Sequence, residues 1–302
     1  IMSNYRILIA GGGTGGHLFP ALAIGEEIHR REPEAKIHYV GSRFGMEARV
    51  FPVKDVWHTL LPIRGFQRGI SFQSIGRNFL LPVRIIRSWL KMNSLIKDFV
   101  PQVVVGTGGY AAALPLYLAS KRDKPLPIIL QEQNSIPGIT TRWFAEKAKT
   151  ICVAFNEAND AINSETILTG NPVRKDITEG HREDGIKEYN FDQKSKTLFL
   201  FGGSQGSAYL NKMMDQVASN IAGAGLQILW QTGDLEYVKY KHRDSSNIRV
   251  VPFIHNMADS YAMADLIICR SGALTLAEIT VCGKPSILVP FPAAAADHQT
   301  KN

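Results

Sequence analysis

Only three cysteines occur in 302 residues, too few and too odd in number for a disulfide framework. Cys152, Cys269 and Cys282 each sit in or beside an apolar run and read as buried thiols of a reducing compartment. No uninterrupted apolar stretch approaches a membrane span of roughly 18 residues. The nearest, residues 103–119, is broken by Gly106, Gly108, Gly109 and Pro115. The N-terminus reaches a strand pattern by Ile7 with no secretory apolar segment before it, so a soluble cytoplasmic protein is expected. No Asp-x-Asp occurs and no His/Cys cluster has metal-ligand spacing, so no metal cofactor is expected. Asp and Glu are absent from residues 56–97, which hold Arg64, Arg68, Arg77, Arg84, Arg87, Lys91 and Lys97. Elsewhere 27 basic residues meet 27 acidic ones, so this segment carries the whole net charge of +7. A neutral body with one basic patch implies an anionic partner at the patch.

What is present is a globular composition, 45% hydrophobic, at a length that suits about two domains. Strand-length apolar runs fall at 5–10, 37–40, 103–105, 128–130 and 151–154, then at 197–201, 227–231, 248–251, 266–269 and 286–289. Amphipathic helical patterns separate them, which indicates right-handed βαβ units and parallel sheets. Both halves open alike, with Gly11-Gly-Gly-Thr-Gly-Gly16 and Gly202-Gly-Ser-Gln-Gly206 each following an apolar strand. The expected organisation is α/β: two Rossmann-type domains at 1–169 and 197–302, with a linker region at 170–196. Ligands of such sheets bind at the carboxyl ends of strands, which makes the cleft between the halves the expected site.

The first loop matches the dinucleotide fingerprint, but the second strand ends Tyr39-Val40-Gly41-Ser42 without the carboxylate that a nicotinamide ribose needs. A dehydrogenase is disfavoured. In the second loop a helix start near 204–207 would aim orphan N–H groups and a positive dipole end at a phosphate. Ser271 and Gly272 open a third such turn, and two phosphate-binding helix starts in one domain suit a diphosphate. Glu278 could then accept hydrogen bonds from ribose hydroxyls. Arg270 is either an ion partner of the diphosphate or the partner of a structural carboxylate.

Taken together, the motifs resemble the MurG family, bacterial transferases that add N-acetylglucosamine to the lipid-linked muramyl-pentapeptide of peptidoglycan synthesis. The segments are Gly11-Gly-Gly-Thr-Gly-Gly-His-Leu-Phe-Pro20, Gly106-Thr-Gly-Gly-Tyr110, Glu132-Gln-Asn134, Gly170-Asn-Pro-Val-Arg174, Gly202-Gly-Ser-Gln-Gly206, Phe253-Ile254, Cys269-Arg-Ser-Gly-Ala-Leu-Thr275 and Asp297-His-Gln-Thr-Lys-Asn302. They stand in family order and span nearly the whole chain. The resemblance implies a GT-B fold of two facing Rossmann domains, with acceptor bound mainly by the first and UDP-N-acetylglucosamine mainly by the second. By motif position, donor contacts fall on Thr14, Gly15, Gly16, Asn134, Arg174, Ser204, Ile254, Ala273, Leu274, Thr275, Leu276, Glu278 and Gln299; the diphosphate reading of the loops adds Gln205, Ser271 and Gly272 as substrate-binding residues. The Ile254 backbone would read the uracil edge. Gln131 stands where the family commonly has histidine. The chain also stops inside the last motif, so a truncated second domain is expected.

The implied reaction is inverting: the C4 hydroxyl of the lipid I sugar attacks the anomeric carbon opposite UDP. It needs a base and stabilisation of the leaving diphosphate. Histidine titrates nearest neutral pH, which makes His17 the leading candidate base, with Glu132 and Tyr110 at other strand ends. The alternative for His17 is a binding contact without proton transfer. Two rival functions share the fold: a UDP-N-acetylglucosamine 2-epimerase, and a UDP-sugar-binding subunit without catalysis. The partners implied are UDP-N-acetylglucosamine, lipid I and an anionic membrane surface, and no nucleic acid. The place implied is the cytoplasmic face of the bacterial inner membrane. For the membrane contact, Pro82 would open a helix with Arg84, Arg87 and Lys91 on one side. Val83, Ile86 and Leu90 would face the first domain, and Ile85 and Trp89 would lie on a flank beside Phe72, Phe79 and Leu81.

Overall fold

The structure is a computed structural model and describes residues 5–65, 81–292 and 297–302. The chain divides into two compact units, Ile1–Pro172 and Val173–Asn302. In the first, strands β1 (Arg6–Ala10), β2 (Lys36–Ser42), β3 (His58–Leu61), β4 (Val103–Gly106), β5 (Ile128–Glu132), β6 (Thr150–Val153) and β7 (Ile167–Leu168) form one sheet. Their order is β3-β2-β1-β4-β5-β6-β7, and every pairing is parallel. A parallel sheet covered on both faces must be apolar on both, and β1 shows it. Leu8 and Ala10 belong to the core on one side, Ile7 and Ile9 to the core on the other.

In the second unit β8 (Thr197–Phe201), β9 (Gln227–Gln231), β10 (Ile248–Val251), β11 (Leu266–Cys269) and β12 (Ser286–Leu288) repeat the plan in the order β10-β9-β8-β11-β12, again all parallel. In each unit the strand order reverses beside the first strand. The switch points therefore lie between β1 and β4, and between β8 and β11, where loops leave adjacent strands in opposite directions and open a crevice. The register aligns Ala10 with Gly106 and Phe201 with Cys269, so the two loops at each switch point emerge side by side.

All ten expected strands are present. β3 and β7 are additional. Both are short edge strands, and the two residues of β7 are exposed, so pairing to β2 and β6 rather than any apolar run defines them. The expected linker at 170–196 is corrected. Ile177, Ile186, Tyr189 and Phe191 pack with Phe199, Phe201 and Leu229 in one core, so 173–196 belongs to the second unit. The three cysteines are unpaired, and of them only Cys269 is fully buried.

The helix Leu81–Phe99 also departs from expectation. Its buried side is Ser88, Met92, Ile96 and Phe99, a stripe at helical spacing that packs against β3 and the helix Tyr110–Ser120. Val83, Ile86 and Leu90 are turned outward and are 47%, 58% and 58% exposed. The longer, deeper stripe decides the rotation, because it runs through the helix where the sheet lies beneath it. Arg84 points inward and lies 5.2 Å from the Phe44 ring, on which Arg64 also stacks at 3.9 Å. Phe72 and Phe79 lie outside the described residues.

Candidate functional site

In the first unit the loop after β1 runs into the helix Gly15–Arg31, with Thr14 exposed at its N-cap in an extended conformation. The loop after β4 leads through Gly108 and Gly109, both at positive φ, into the helix at Tyr110. The two loops are stitched together by Thr107, whose hydroxyl donates to the His17 carbonyl oxygen at 2.8 Å and whose N–H donates to Ala10. His17 lies in the first turn of its helix with its imidazole against Gly108 and Gly109. A Cβ on either would lie within 3.0 Å of the ring. Its Nδ1 faces the Thr107 carbonyl oxygen at 3.0 Å and Gln133 Oε1 at 2.9 Å.

Most glycines of the first loop serve the protein interior. A Cβ on Gly11 would meet Thr107 Oγ1 at 1.8 Å, and one on Gly12 would meet the Glu47 carboxylate at 2.3 Å. Gly15 backs onto the Phe19 ring. Gly16 faces open space, its nearest neighbour Thr14 Oγ1 at 3.8 Å. Glu47 is fully buried and takes the Ser42 N–H at 2.6 Å and the Gly13 N–H at 3.0 Å. Nothing in the sequence reading singled it out, since it lies on a helix away from any glycine motif.

Glu132, read as a possible base, is 2% exposed and committed elsewhere. Its Oε1 accepts from the N–H groups of Gln133 and Asn134, and its Oε2 from the Gly138 N–H and, at 2.6 Å, the Thr141 hydroxyl. The carboxylate thus organises the turn after β5 and the start of the helix Ile139–Phe144. The side-chain amide of Asn134 turns back to the same carboxylate at 3.4 Å. Tyr110 packs its ring over Gly13, and burial pushes its hydroxyl above the ordinary phenol pKa against an opposing hydrogen bond from Ser42. At neutral pH it is a proton donor. Glu132 and Tyr110 are thus held in structural contacts, while His17 stands where the two loops meet.

In the second unit the loop after β8 turns tightly, with Gly206 N–H bonded to Gly203 O and both glycines at positive φ. Ser204 and Gln205 form the tip of this turn. Ser207 then caps the helix Ala208–Gly223, accepting from Leu210 N–H at 3.4 Å. After β11, Gly272 is the N-cap of the helix Ala273–Val281, with Ala273, Leu274, Thr275 and Leu276 in its first turn. Arg270 joins the two loops. Its guanidinium donates to Ser207 Oγ at 2.9 Å and to the carbonyl oxygens of Val289 and Pro290 at 3.1 and 2.7 Å. The partners expected for it were a diphosphate or a carboxylate; the fold supplies neutral oxygens. Gly203 and Gly272 face open space, as Gly16 does, so each of these strand-to-helix loops keeps a glycine where a ligand could approach the backbone.

Ser271 donates from its hydroxyl to the Gln299 carbonyl oxygen at 2.8 Å, and the Gln299 side chain accepts from Phe291 N–H. Ile254 is buried, and its N–H donates to Gln231 Oε1 at 3.1 Å while Gln231 Nε2 reaches Gly203 O at 2.9 Å. Gln231 therefore ties the glycine loop to the 252–254 turn, a role its place at the end of an apolar strand only hints at. Glu278 accepts from the buried Tyr261 hydroxyl at 2.9 Å. Burial raises the carboxyl of Glu278, with the Tyr261 hydrogen bond and Arg174 opposing. Arg174 is mostly buried, 3.7 Å from Asp176. Among the described residues no group of three or more His, Cys, Asp or Glu could hold a metal ion.

Residues 7–153 match the glycosyltransferase family 28 N-terminal domain and residues 197–302 its C-terminal domain. The UDP-N-acetylglucosamine--N-acetylmuramyl-(pentapeptide) pyrophosphoryl-undecaprenol N-acetylglucosamine transferase of Christiangramia forsetii is 38% identical over 98% of this chain and 80% of its own length. The protein of the same name from Cytophaga hutchinsonii is 39% identical over 99% of this chain and 80% of its own. A crystal structure of Acinetobacter baumannii MurG superposes with a TM-score of 0.68 at 27% identity, covering 98% of this chain and 80% of that one. Sequence, domain content and fold agree, and the chain belongs to glycosyltransferase family 28, among the MurG N-acetylglucosamine transferases.

Proposed function

We propose that the two units divide the labour of a single transfer, from UDP-N-acetylglucosamine to the C4 hydroxyl of lipid I. The chain is a UDP-N-acetylglucosamine-dependent glycosyltransferase of peptidoglycan synthesis, converting lipid I to lipid II. One observation carries the division. Each unit brings two strand-to-helix loops together at its switch point, and the first pair holds His17 while the second holds two helix starts joined by Arg270. The acceptor hydroxyl attacks the anomeric carbon as His17 takes its proton. UDP departs with its diphosphate on the N–H groups after Gly203 and Gly272, a placement favoured by orphan donors and helix dipoles. Arg270, whose hydrogen bonds among the described residues go to neutral oxygens, keeps its charge for that anion. Glu278, oriented by Tyr261, receives the ribose hydroxyls. With the Ile254 N–H already given to Gln231, the carbonyl of Ile254 is the group left for the uracil edge.

A transfer assay with UDP-N-acetylglucosamine and a short-chain lipid I analogue tests this reading. His17→Ala should lose about 10²–10⁴ in kcat, the usual contribution of a general base. Activity within about tenfold of wild type would remove the base role. Epimerised sugar formed from UDP-N-acetylglucosamine alone would favour the epimerase reading, and UDP binding without transfer would favour a non-catalytic subunit.

The first unit also carries the membrane contact. Among the described residues no helix is long and apolar enough to cross a membrane. On the helix Leu81–Phe99, Val83, Ile86 and Leu90 form an exposed apolar stripe, with Ile85 and Trp89 beside it and Arg87 and Lys91 along its edge. Such a stripe on an acid-free segment suits insertion into an anionic leaflet, and the lipid-linked acceptor must be met there. The place assigned is the cytoplasmic face of the inner membrane. Because Arg84 is half-buried against Phe44 and Lys91 Nζ donates to the Leu60 carbonyl oxygen at 3.1 Å, the clean variants are Ile86→Ser/Leu90→Ser and Arg87→Glu. Binding to vesicles containing anionic lipid should drop in both and weaken with salt. Unchanged vesicle binding would exclude this surface.

A further inference from the structure

We propose that Gln133 is a positioning residue for the transfer, holding His17 in the tautomer whose Nε2 is free of hydrogen. The inference deepens the reading of His17 as the base and rests on it. His17 Nδ1 lies 3.0 Å from the Thr107 carbonyl oxygen and 2.9 Å from Gln133 Oε1. A carbonyl oxygen only accepts, so Nδ1 carries the hydrogen and Nε2 of the neutral ring carries the lone pair.

The amide orientation of Gln133 is itself decided by the network. Its Nε2 faces three oxygens: the Thr107 carbonyl at 2.8 Å, the Gln131 carbonyl at 3.0 Å and Gln131 Oε1 at 2.5 Å. Two of these are backbone acceptors, and a flipped amide would set oxygen against oxygen there. Gln133 Oε1 is therefore left toward the imidazole. Behind it, Gln131 donates through Nε2 to the Glu132 carbonyl oxygen at 3.2 Å and to Asn171 Oδ1 at 3.3 Å. Asn171 Nδ2 closes the ring onto the Gln133 carbonyl oxygen at 3.0 Å. Gln131 and Gln133 are 3% and 2% exposed, so water does not compete for these groups.

The network that aims His17 is built from amides and carbonyls. The neighbouring Glu132 carboxylate faces the other way, into the turn of Gln133, Asn134, Gly138 and Thr141. The third member of this nucleophile-activating arrangement is thus neutral, and it contributes by fixing ring and tautomer.

The test uses the full chain labelled with ¹⁵N-histidine. His17, one of eight histidines, is assigned by its loss in His17→Ala. Long-range ¹H–¹⁵N spectra of the neutral ring should show hydrogen on Nδ1. In Gln133→Met a second tautomer should appear, with kcat at least about tenfold lower and KM for UDP-N-acetylglucosamine within about twofold. Gln131→Met leaves two backbone carbonyls holding Gln133 and should keep the wild-type tautomer. A wild-type ring with hydrogen on Nε2, or a Gln133→Met spectrum equal to wild type, would overturn the proposal. A changed tautomer with unchanged kcat would keep the lock and overturn the base reading beneath it.

Discussion

Glu47 is a fully buried carboxylate whose hydrogen bonds hold the first glycine loop to the end of β2, and its removal should be costly. Oε1 accepts the Ser42 N–H at 2.6 Å, and both oxygens share the Gly13 N–H at 3.0 Å. Glu47→Ala strands two backbone donors at about 1–3 kcal/mol each and leaves a void. Gly13 is partly exposed and water recovers some of its share, so a loss of about 3–5 kcal/mol is expected, a large part of a domain's total of about 5–15. Glu47→Gln can keep one oxygen for both donors, but its NH₂ then opposes the Gly13 N–H, for about 1–2 kcal/mol. The packing gives an independent handle. A Cβ on Gly45 would lie 2.3 Å from Glu47 Oε2, so Gly45→Ala should reproduce the loss. Urea denaturation would rank the variants wild type, then Gln, then Ala. Amide exchange at Ser42 and Gly13 would report the loop directly. A Glu47→Ala midpoint within about 1 kcal/mol of wild type, with Ser42 still protected, would refute the reasoning.

Gly16→Ala and Gly272→Ala place a methyl where no protein atom is nearer than 3.8 Å, so both should fold normally. The first should raise the KM for the lipid I analogue and the second the KM for UDP-N-acetylglucosamine; unchanged kinetics would mean these backbones meet no ligand. His38 is buried with Nε2 against Thr59 Oγ1, and burial, with His58 adding repulsion, draws its pKa to about 4. The unfolded chain therefore binds the proton first, and stability should fall as pH drops from about 6.5 to 4, by on the order of 3 kcal/mol. In His38→Gln that contribution to the pH slope of the unfolding midpoint should vanish. Glu278 has the opposite sign. Its carboxyl is raised by burial, so its penalty is absent below the unfolded carboxylate range and complete once pH exceeds the folded value. Glu278→Gln should melt higher than wild type at neutral pH, lose that advantage as pH falls into the carboxylate range, and bind UDP more weakly.

Much of this was legible in the chain itself. The strand runs, their alternation with helices and the paired glycine loops fix parallel α/β units, because a sheet covered on both faces demands runs such as Ile7 to Ala10. The ordered motifs fix the family, since their residue types and spacing are matters of sequence alone. Tertiary structure decided what local pattern leaves degenerate. Which stripe of the helix Leu81–Phe99 is buried depended on the sheet beneath it, and Val83, Ile86 and Leu90 turned outward. Whether a carboxylate faces a ligand or a backbone depended on loop closure, and Glu132 and Glu47 turned inward. Residues 173–196 look like a linker until Ile177, Ile186 and Tyr189 are seen in the second core. The aim of His17 depends on Thr107, 90 residues away, and Gln133, 116 away, groups that parallel crossovers bring to one sheet edge and that no local spacing records.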